Sequence, residues 1–578
     1  MAYVFNSLKK VNTHLKSYNF TTTSKLFSCG ITNLEEQWNE NKEIPEYFNF
    51  FEDAVKYWAL KEKNLERKGP PAFWYVDKNN NDIKWNFQEL VLQTEKAANV
   101  LRSCGLNRSH KIIIILPKIP EWWLIVLACF QLGIVFSPGT TQLRSKDILY
   151  RINSIEANCI VADLETSERV AQIVKDCPSL TTKILCTEKN KVKDGWIHFK
   201  TEHESSPPLE ECVKTKTNDP MIIYFTSGTS GNQKAVQHTY EHAFSICICR
   251  RYFVDIQSNA LSWNLTDTGW GKTIWGSLGY PWSIGAGNFI YNSSRFDAKE
   301  LLNILQRYPI TNFCAPPTAF KFFLKENLEK YKFPHLKSCT SGGESLTKDL
   351  FTTWKEKTGV MIYEGYAQSE TSLLCSDLHC KQKKPGSVGL PPPFLQLDII
   401  NEKYEKVEPF QEGEIAVKVQ PNYPIGLFKE YLNNPEKTKE VFKNGYYLTG
   451  DRGYKDNDGY LWFIGRNDDI ISSSGYRIGP FEVESALQEH PAVKECAVVG
   501  SPDPLRGEVV KAFIILTEEY NDVDKEELII QLQDHVKNIT SPYKYPRKIE
   551  FVEDLPRTIS GKVQRFKLRL KETQKNKL

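Results

Sequence analysis

Residues 226–234, which read TSGTSGNQK, have the clearest chemical character in this sequence. They follow a short apolar run at residues 221–225, which is bounded and partly β-branched and predicts a buried strand. Two glycines, four hydroxyl side chains and a lysine after such a strand provide free backbone N–H groups, short donors and a positive charge. This combination predicts an anion-binding loop. It is not a Walker sequence, because Gln233 precedes Lys234 and Ala235 follows it.

The elements that position this loop are strands alternating with helices. Residues 111–116 form an apolar run that ends at a proline, as a central parallel strand does, and residues 159–162 predict another strand. Residues 122–136 predict a buried helix followed by a strand, since the segment is shorter than the ~20 residues that span a bilayer. This alternation predicts a largely parallel sheet covered on both faces. Short strands and turns follow from about Leu397, and the polar residues 465–469 predict a domain boundary.

Composition narrows the class of protein. A chain of 578 residues with 40% hydrophobic and 25% charged residues predicts a globular protein of two or more domains. The balance of 74 Lys+Arg against 71 Asp+Glu leaves +3, which argues against a nucleic-acid partner. Fourteen cysteines are scattered without a C-x-x-C pair, so free thiols are expected rather than a zinc site.

The N-terminal segment has no acidic residue before Glu35. It is basic and rich in Ser and Thr, which is typical of a mitochondrial transit peptide. The alternative is an extension without a targeting role. We expect residues 1–34 to be a leader and the protein to be in the mitochondrial matrix.

Five strings in this order resemble the adenylate-forming superfamily of acyl-CoA synthetases, luciferases and amino-acid adenylation domains: YFTSGTSGNQK, YEGYAQSET, YLTGD, GRNDDIISSSGYRIGPFEVE and PRTISGKVQR. The chain is most similar to mitochondrial medium-chain acyl-CoA synthetases, over about residues 35–570. This resemblance implies an α/β fold. A large N-terminal domain of β-sheets and helices (residues 35–466) would precede a small mobile α+β domain (residues 467–578).

The resemblance also implies a reaction in two steps. A carboxylic acid and ATP, with Mg²⁺, would give an acyl-adenylate and pyrophosphate. The thiol of coenzyme A would then take the acyl group and release AMP. A monomer or small homo-oligomer without a transmembrane segment is expected.

The resemblance assigns the nucleotide site to a set of matching positions: Thr226, Ser227, Gly228, Thr229, Ser230, Gly231, Asn232, Gln233, Lys234, Glu364, Gly365, Tyr366, Ala367, Gln368, Ser369, Asp451, Arg466 and Lys562. Gln233 stands where proline is common, which predicts a looser loop. Tyr366 is expected to stack on the base, while Ala367, where glycine is usual, would obstruct a positive φ. Asp451 follows Gly450 at a predicted tight turn and suits the two ribose hydroxyls.

Three further roles follow from the same resemblance. Lys562 would be catalytic, because it offsets the charge that gathers as a carboxylate approaches the α-phosphate. Glu370 would be the magnesium ligand, since a hard cation needs oxygen donors. Asp468 would be the hinge at which the small domain turns.

Coenzyme A and the acid complete the expected site. The coenzyme contacts implied by the resemblance are Gln142, Ser474, Gly475, Tyr476, Arg506, Lys537, Tyr545, Pro546 and Arg547. The substrate contacts are Trp270, Ser369 and Arg477, with Trp270 limiting the depth of the acyl pocket and Gly365 opening it. Short, medium and benzoate-like acids all remain open.

Two other functions compete with a ligase that forms acyl-CoA. One is a different adenylate-forming enzyme, such as a light-producing oxidase or an amino-acid loader; the coenzyme set at Arg506, Lys537 and Tyr545 argues against it. The other is a non-catalytic protein that binds acyl nucleotides. Lys562 argues against that alternative, because binding alone does not need it.

Overall fold

The computed structural model describes residues 31–575 except 42, 109, 192, 227–232, 294, 345, 379, 381, 474–475, 505, 541 and 558–561. Its α-helices, in chain order, are α1 Ile31–Asn41, α2 Tyr57–Lys63, α3 Phe87–Ser103, α4 Pro120–Leu132, α5 Ser145–Ile155, α6 Leu164–Ala171, α7 Phe199–Ser205, α8 Tyr240–Phe253, α9 Gly271–Ile274, α10 Tyr280–Ser283, α11 Ala298–Arg307, α12 Pro317–Leu324, α13 Lys348–Thr358, α14 Pro435–Val441, α15 Pro480–Gln488, α16 Lys525–Ile539 and α17 Arg565–Lys575.

The strands, in the same order, are β1 Phe73–Asp77, β2 Asp82–Trp85, β3 Lys111–Ile115, β4 Val135–Gly139, β5 Cys159–Ala162, β6 Thr182–Leu185, β7 Ile197–His198, β8 Pro220–Thr226, β9 Lys234–Thr239, β10 Leu261–Asn264, β11 Gly287–Asn292, β12 Asn312–Cys314, β13 Ser338–Gly342, β14 Met361–Ala367, β15 Leu373–Ser376, β16 Leu397–Ile400, β17 Gly413–Lys418, β18 Glu430–Tyr431, β19 Phe442–Lys443, β20 Tyr446–Lys455, β21 Leu461–Arg466, β22 Ile471–Ser473, β23 Tyr476–Ile478, β24 Val493–Asp503, β25 Gly507–Leu516 and β26 Lys548–Phe551.

Two eight-stranded, largely parallel sheets form most of the N-terminal domain. The first has the order β18-β9-β8-β4-β3-β5-β6-β7, and the second has the order β15-β14-β13-β12-β10-β11-β1-β2. In the first sheet β9 pairs antiparallel with both β18 and β8, and the other neighbours pair parallel. The predicted strands at residues 111–116 and 159–162 are confirmed as β3 and β5. The prediction of a parallel sheet therefore holds, although the chain builds two.

Helix α4 is buried along its whole length, as its apolar sequence predicts. It begins with Pro120 in its first turn and ends at Gly133, whose φ of 69° permits the left-handed cap. The strand predicted after it is β4. Across the residues that the structure describes, no helix has the length and apolar character needed to cross a membrane.

A third, antiparallel sheet leads to the C-terminal domain. Its order is β16-β17-β20-β19, with β21 paired to β20. Strand β21 ends at Arg466, a short 3₁₀ turn covers Asn467–Asp469, and β22 begins at Ile471. The C-terminal sheet then has the order β23-β22-β25-β24, with β26 parallel to β25. Helices α15 and α16 share a separate apolar cluster with this sheet, so the domain has its own core.

Helix α1 is fixed to the N-terminal domain by a buried ion pair. The carboxylate of Glu35, 2% exposed, accepts from Arg250 Nη1 at 2.5 Å and Nη2 at 2.9 Å, and from Arg251 Nη2 at 2.9 Å. Ile31 and Leu34 lie in the main apolar cluster. The last residues of the predicted leader are thus packed inside the fold, which begins no later than Ile31 in the described chain.

Glu35→Gln should release this helix. The change leaves the buried Arg250 without its counter-ion, and breaking a buried pair in this way costs about 3–5 kcal/mol. We expect faster amide hydrogen exchange in residues 31–41 and an earlier proteolytic cut there. Glu36→Gln is the matched control, because Glu36 is the exposed neighbour on the same helix. Equal exchange in the two variants would contradict the role of the ion pair.

Candidate functional site

The predicted anion-binding loop connects two paired strands of the first sheet. β8 ends at Thr226 and β9 begins at Lys234, and these two residues are partners in the antiparallel register. The predicted phosphate contacts Ser227, Gly228, Thr229, Ser230, Gly231 and Asn232 lie outside the described residues. The strand register alone places Thr226 and Lys234 at the same end of the hairpin.

Gln233 is bonded to helix α5, while the looser loop expected before Lys234 stays a prediction. Its side-chain Oε1 accepts a hydrogen bond from Arg151 Nε at 3.0 Å, and its carbonyl accepts one from Tyr150 Oη at 2.7 Å. The Arg151 guanidinium is buried and lies 4.9 Å from the ring centroid of Phe225. Two side chains from one helix thus bind both the side chain and the backbone of Gln233.

Lys234 and Glu370 meet at Tyr431. The Lys234 Nζ lies 5.1 Å from the centre of the Tyr431 ring, and the Tyr431 hydroxyl donates to Glu370 Oε1 at 2.8 Å. Burial lowers the pKa of Lys234, while the charge of Glu370 raises it. Within the described residues no three His, Cys, Asp or Glu side chains cluster as metal ligands. A single carboxylate such as that of Glu370 fits Mg²⁺, which binds through one or two carboxylates together with phosphate oxygens and water.

Asp451 is the centre of a buried hydrogen-bond network. It is 3% exposed, and its Oδ2 accepts from Tyr366 Oη at 2.5 Å and from Gln368 Nε2 at 2.6 Å. Its Oδ1 accepts from Arg466 Nη1 at 3.0 Å. Desolvation raises the pKa of Asp451, and the charge of Arg466 lowers it. The predicted base-stacking and ribose residues are thus brought together.

The predicted tight turn at Asp451 is wrong. Gly450 and Asp451 lie inside the ten-residue strand β20, at an irregularity in its pairing with β17. Gly450 has a φ of 69°, and a Cβ there would lie 3.1 Å from Arg466 Nη2. The glycine therefore serves a bulge that brings Arg466 close to the strand, rather than a chain reversal.

The neighbouring residues of β14 have distinct surroundings. Glu364 Oε1 accepts from the backbone N–H of Leu346 at 2.9 Å, and burial raises the pKa of this carboxyl to about 8. Its side chain is therefore engaged within the protein. Ala367 ends β14 and is not among the residues with positive φ, so its methyl group obstructs nothing of that kind. The backbone carbonyl of Ser369 accepts from His238 Nε2 at 2.7 Å.

A mostly apolar cavity of about 40 Å³ lies between α9 and the strands β10, β12 and β13. Its lining residues are Phe253, Val254, Ile256, Ser262, Lys272, Trp275, Gly276, Tyr280, Asn312, Phe313, Cys314 and Thr340. A Cβ on Gly365 would lie 2.4 Å from a ring carbon of Phe253, so this glycine makes room for the Phe253 ring, and the expectation that it opens the acyl pocket stays a prediction. Trp270 directly precedes α9, and the indole that lines the cavity is that of Trp275.

Lys562 of the C-terminal domain reaches this region of the N-terminal domain. Its side chain keeps solvent access, while the surrounding protein lowers its pKa through desolvation. The carboxylates of Glu344 and Asp451 raise that pKa, and the charges of Lys272 and Arg466 lower it. Lys272 is a single cation in an aromatic segment and belongs to no recognised motif, so the sequence alone did not point to it.

Three of the candidate coenzyme A contacts, Lys537, Tyr545 and Arg547, lie together in the C-terminal domain. Lys537 Nζ and the Arg547 guanidinium lie 4.5 Å and 4.8 Å from the Tyr545 ring centroid, and Arg547 Nη1 donates to the Tyr545 hydroxyl at 2.7 Å. Pro546, which lies between Tyr545 and Arg547 in the sequence, is buried, and its carbonyl accepts a hydrogen bond from Gln533. Arg506 is 38% exposed and lies near Asp503.

The structure describes the remaining predicted contacts of coenzyme A and of the substrate in less detail. Gln142 is exposed on the other domain, after β4. Ser474 and Gly475 lie outside the described residues, and the backbone of Tyr476 and Arg477 forms part of β23.

Comparisons with known proteins cover both domains. The profile of the family described as "AMP-binding enzyme" matches residues 61–432, and that of the "AMP-binding enzyme C-terminal domain" matches residues 482–562. The chain is 47% identical over 532 residues to "Acyl-coenzyme A synthetase ACSM3, mitochondrial" of Rattus norvegicus, covering 92% of this chain and 91% of that protein. It is 48% identical over 533 residues to "Acyl-coenzyme A synthetase ACSM4, mitochondrial" of Mus musculus, covering 92% of each.

A solved structure is similar over the same extent. It is the anthranilate CoA ligase AuaEII in complex with anthranoyl-AMP, with a TM-score of 0.83 and 26% identity. The similarity covers 93% of this chain and 99% of that one.

Gln233→Ala should weaken ATP binding by about tenfold, because it removes a hydrogen bond to a charged group worth about 1.5–3 kcal/mol. Gln233→Glu should preserve affinity, since its carboxylate can still accept from Arg151. Isothermal titration with ATP measures both variants. Gln172→Ala is the matched control: this glutamine accepts from Ser145 at the start of the same helix. An unchanged affinity in Gln233→Ala would show that the contact with Arg151 does not position Lys234.

Proposed function

This chain belongs to the AMP-binding enzyme family as an acyl-coenzyme A synthetase, and we propose that its substrates are medium-chain fatty acids. ATP activates the acid as an acyl-adenylate, and coenzyme A then takes the acyl group. The observation that carries the proposal is the position of Lys562, whose electrostatic neighbours include Asp451, Arg466 and the cavity residue Lys272. The residues proposed to bind the nucleotide, the apolar cavity and the Lys562 ammonium group thus lie near one another.

The nucleotide would be held from three directions. Lys234 and the loop before it bind the β- and γ-phosphates, and Asp451 with Arg466 binds the ribose. The ribose hydroxyls share the Asp451 carboxylate with the hydroxyl of Tyr366, whose ring lies beside the base. Glu370 would hold Mg²⁺, which neutralises phosphate charge when bound.

Lys562 would act in the first step. The carboxylate and the α-phosphate repel each other, and negative charge gathers on the phosphate oxygens in the transition state. An ammonium group at this point stabilises that charge. Asp468 would be the hinge that withdraws it.

The coenzyme would bind on the C-terminal domain. Lys537, Tyr545 and Arg547 provide two cations around one aromatic ring, a combination suited to a phosphorylated adenosine. Arg506 and Gln142 would contribute further contacts, and Ser474 to Arg477 would line the path of the pantetheine. We propose a monomer or small homo-oligomer.

The enzyme would act in the mitochondrial matrix, which agrees with the word "mitochondrial" in the names of its relatives. Its leader would end before Ile31, because Ile31 and Leu34 are buried in the fold. Residues 1–30 lie outside the described part of the chain.

An aromatic acid is the second candidate substrate. Phe253, Trp275, Tyr280 and Phe313 line a small cavity, and the structurally similar AuaEII is an anthranilate CoA ligase. Flat rings pack well against such walls.

A panel of acids distinguishes these substrates. Acids from acetate to dodecanoate, with benzoate, are supplied with ATP, Mg²⁺ and coenzyme A, and acyl-CoA and AMP are measured. We expect the highest kcat/KM between hexanoate and decanoate. A maximum at acetate or benzoate would overturn the medium-chain assignment, and the absence of AMP formation with every acid would overturn the ligase activity.

Lys562→Ala should separate the two steps. Adenylate formation should fall at least ~100-fold, as it does when one donor to a developing oxyanion is removed. Thioester formation from preformed acyl-AMP should persist, because the α-phosphate has already reacted. Lys567→Ala is the control, since Lys567 is an exposed lysine in the following helix. An equal loss in both steps would contradict the assigned role.

A further inference from the structure

Lys272 is an unusual residue in the wall of the acyl cavity. It lies in α9, and most of the other lining residues are aromatic, aliphatic or small. A lysine in such surroundings is costly unless its charge is matched. The cation therefore needs a partner that the apolar wall does not supply.

The described contacts use only part of its binding capacity. The Lys272 Nζ donates one hydrogen bond, at 3.0 Å, to the carbonyl of Gly342 at the end of β13. An ammonium group has three donors, so two remain for a ligand. Among the described residues no carboxylate forms an ion pair with it.

Lys272 also lies within electrostatic range of Lys562. It both lines the cavity and is one of the charges that lower the pKa of Lys562. Two ammonium groups near one opening repel each other, and an anion between them removes that repulsion. The anion that must enter this opening together with an apolar chain is the carboxylate of the acid substrate.

We propose that Lys272 binds the carboxylate of the acid and holds it at the mouth of the cavity, next to the α-phosphate. The proposal rests on the ligase function stated above. A carboxylate oxygen then forms a bond to the α-phosphorus, the bond between that phosphorus and the bridging oxygen breaks, and its electron pair leaves with pyrophosphate. The carboxylate loses its negative charge in this step, so its attraction to Lys272 weakens once acyl-AMP has formed.

The simpler explanation is that Lys272 only ties α9 to β13 through Gly342. The variant Lys272→Gln separates the two explanations, because its amide can donate to that carbonyl but carries no charge. Lys272→Arg keeps the charge and tests rescue. Lys455→Gln is a matched control, since Lys455 also donates to a backbone carbonyl, that of Leu397, in the third sheet.

The measurement is pyrophosphate release with octanoate and ATP, together with thioester formation from preformed octanoyl-AMP. For Lys272→Gln we expect the KM for octanoate to rise by about tenfold or more, the loss produced by removing a charged hydrogen-bond partner. The KM for ATP and the thioester rate should stay within about twofold. Lys272→Arg should restore most of the affinity for octanoate.

Inhibition by octanamide, which has the same chain but no charge, provides a second readout. Its inhibition constant should be the same in the wild type and in Lys272→Gln. Equal weakening of octanamide and octanoate, or an unchanged KM for octanoate in an active Lys272→Gln enzyme, would overturn the proposal. A wild-type enzyme that forms no acyl-AMP would overturn the proposed function instead, so the two failures are distinguishable.

Discussion

The buried carboxylate of Asp451 is the interaction on which the site depends. A carboxylate removed from water is costly unless its partners replace the lost hydration. Here the replacement comes from Tyr366 and Gln368, on and just beyond β14 of the second sheet, and from Arg466 at the end of β21. The second and third sheets are thus joined at this acid. The bulge at Gly450 is the local distortion that lets Arg466 approach.

The same region carries positive charges that suit its substrates. Lys234, Lys272, Lys562 and Arg466 lie close to one another's charges, and both ATP and a carboxylic acid are anions. Part of the positive charge is compensated by protein carboxylates, as the opposing effects on the pKa of Lys562 show. The cations repel one another without substrate, and this repulsion is relieved on binding. Affinity for anions is therefore built into the arrangement of the side chains.

Local sequence patterns predicted the parts of the site that depend on neighbouring residues. The strand before residue 226, the buried helix α4 and the start of the C-terminal domain after Arg466 follow from periodicity and turn residues. Contacts between distant residues left no such signal. Gln233 looked like the loss of a rigid proline because its partner Arg151 lies 82 residues away. Glycine next to aspartate at Gly450 favours a turn locally, and only the pairing with β17 and β21 makes it a bulge.

The cavity wall was likewise not predictable from local sequence patterns, because helix geometry decides which side chains line it. The helix that starts at Gly271 places Lys272 and Trp275 along the cavity, three residues apart and so on one face, whereas Trp270 precedes its first turn. A list of aromatic residues in the sequence does not distinguish the two indoles.

The contacts on either side of residue 468 fit the hinge proposed there. Arg466 is bound to Asp451 and therefore moves with the N-terminal domain. Asp469 is paired with Arg565 and Arg569 of α17 and therefore moves with the C-terminal domain. Asn467 and Asp468 lie between these two paired residues, so the rotation proposed for the small domain would place its dihedral changes in this stretch. Such a rotation would withdraw Lys562 from the cleft while the Asp451 network, and with it the bound nucleotide, stays in place.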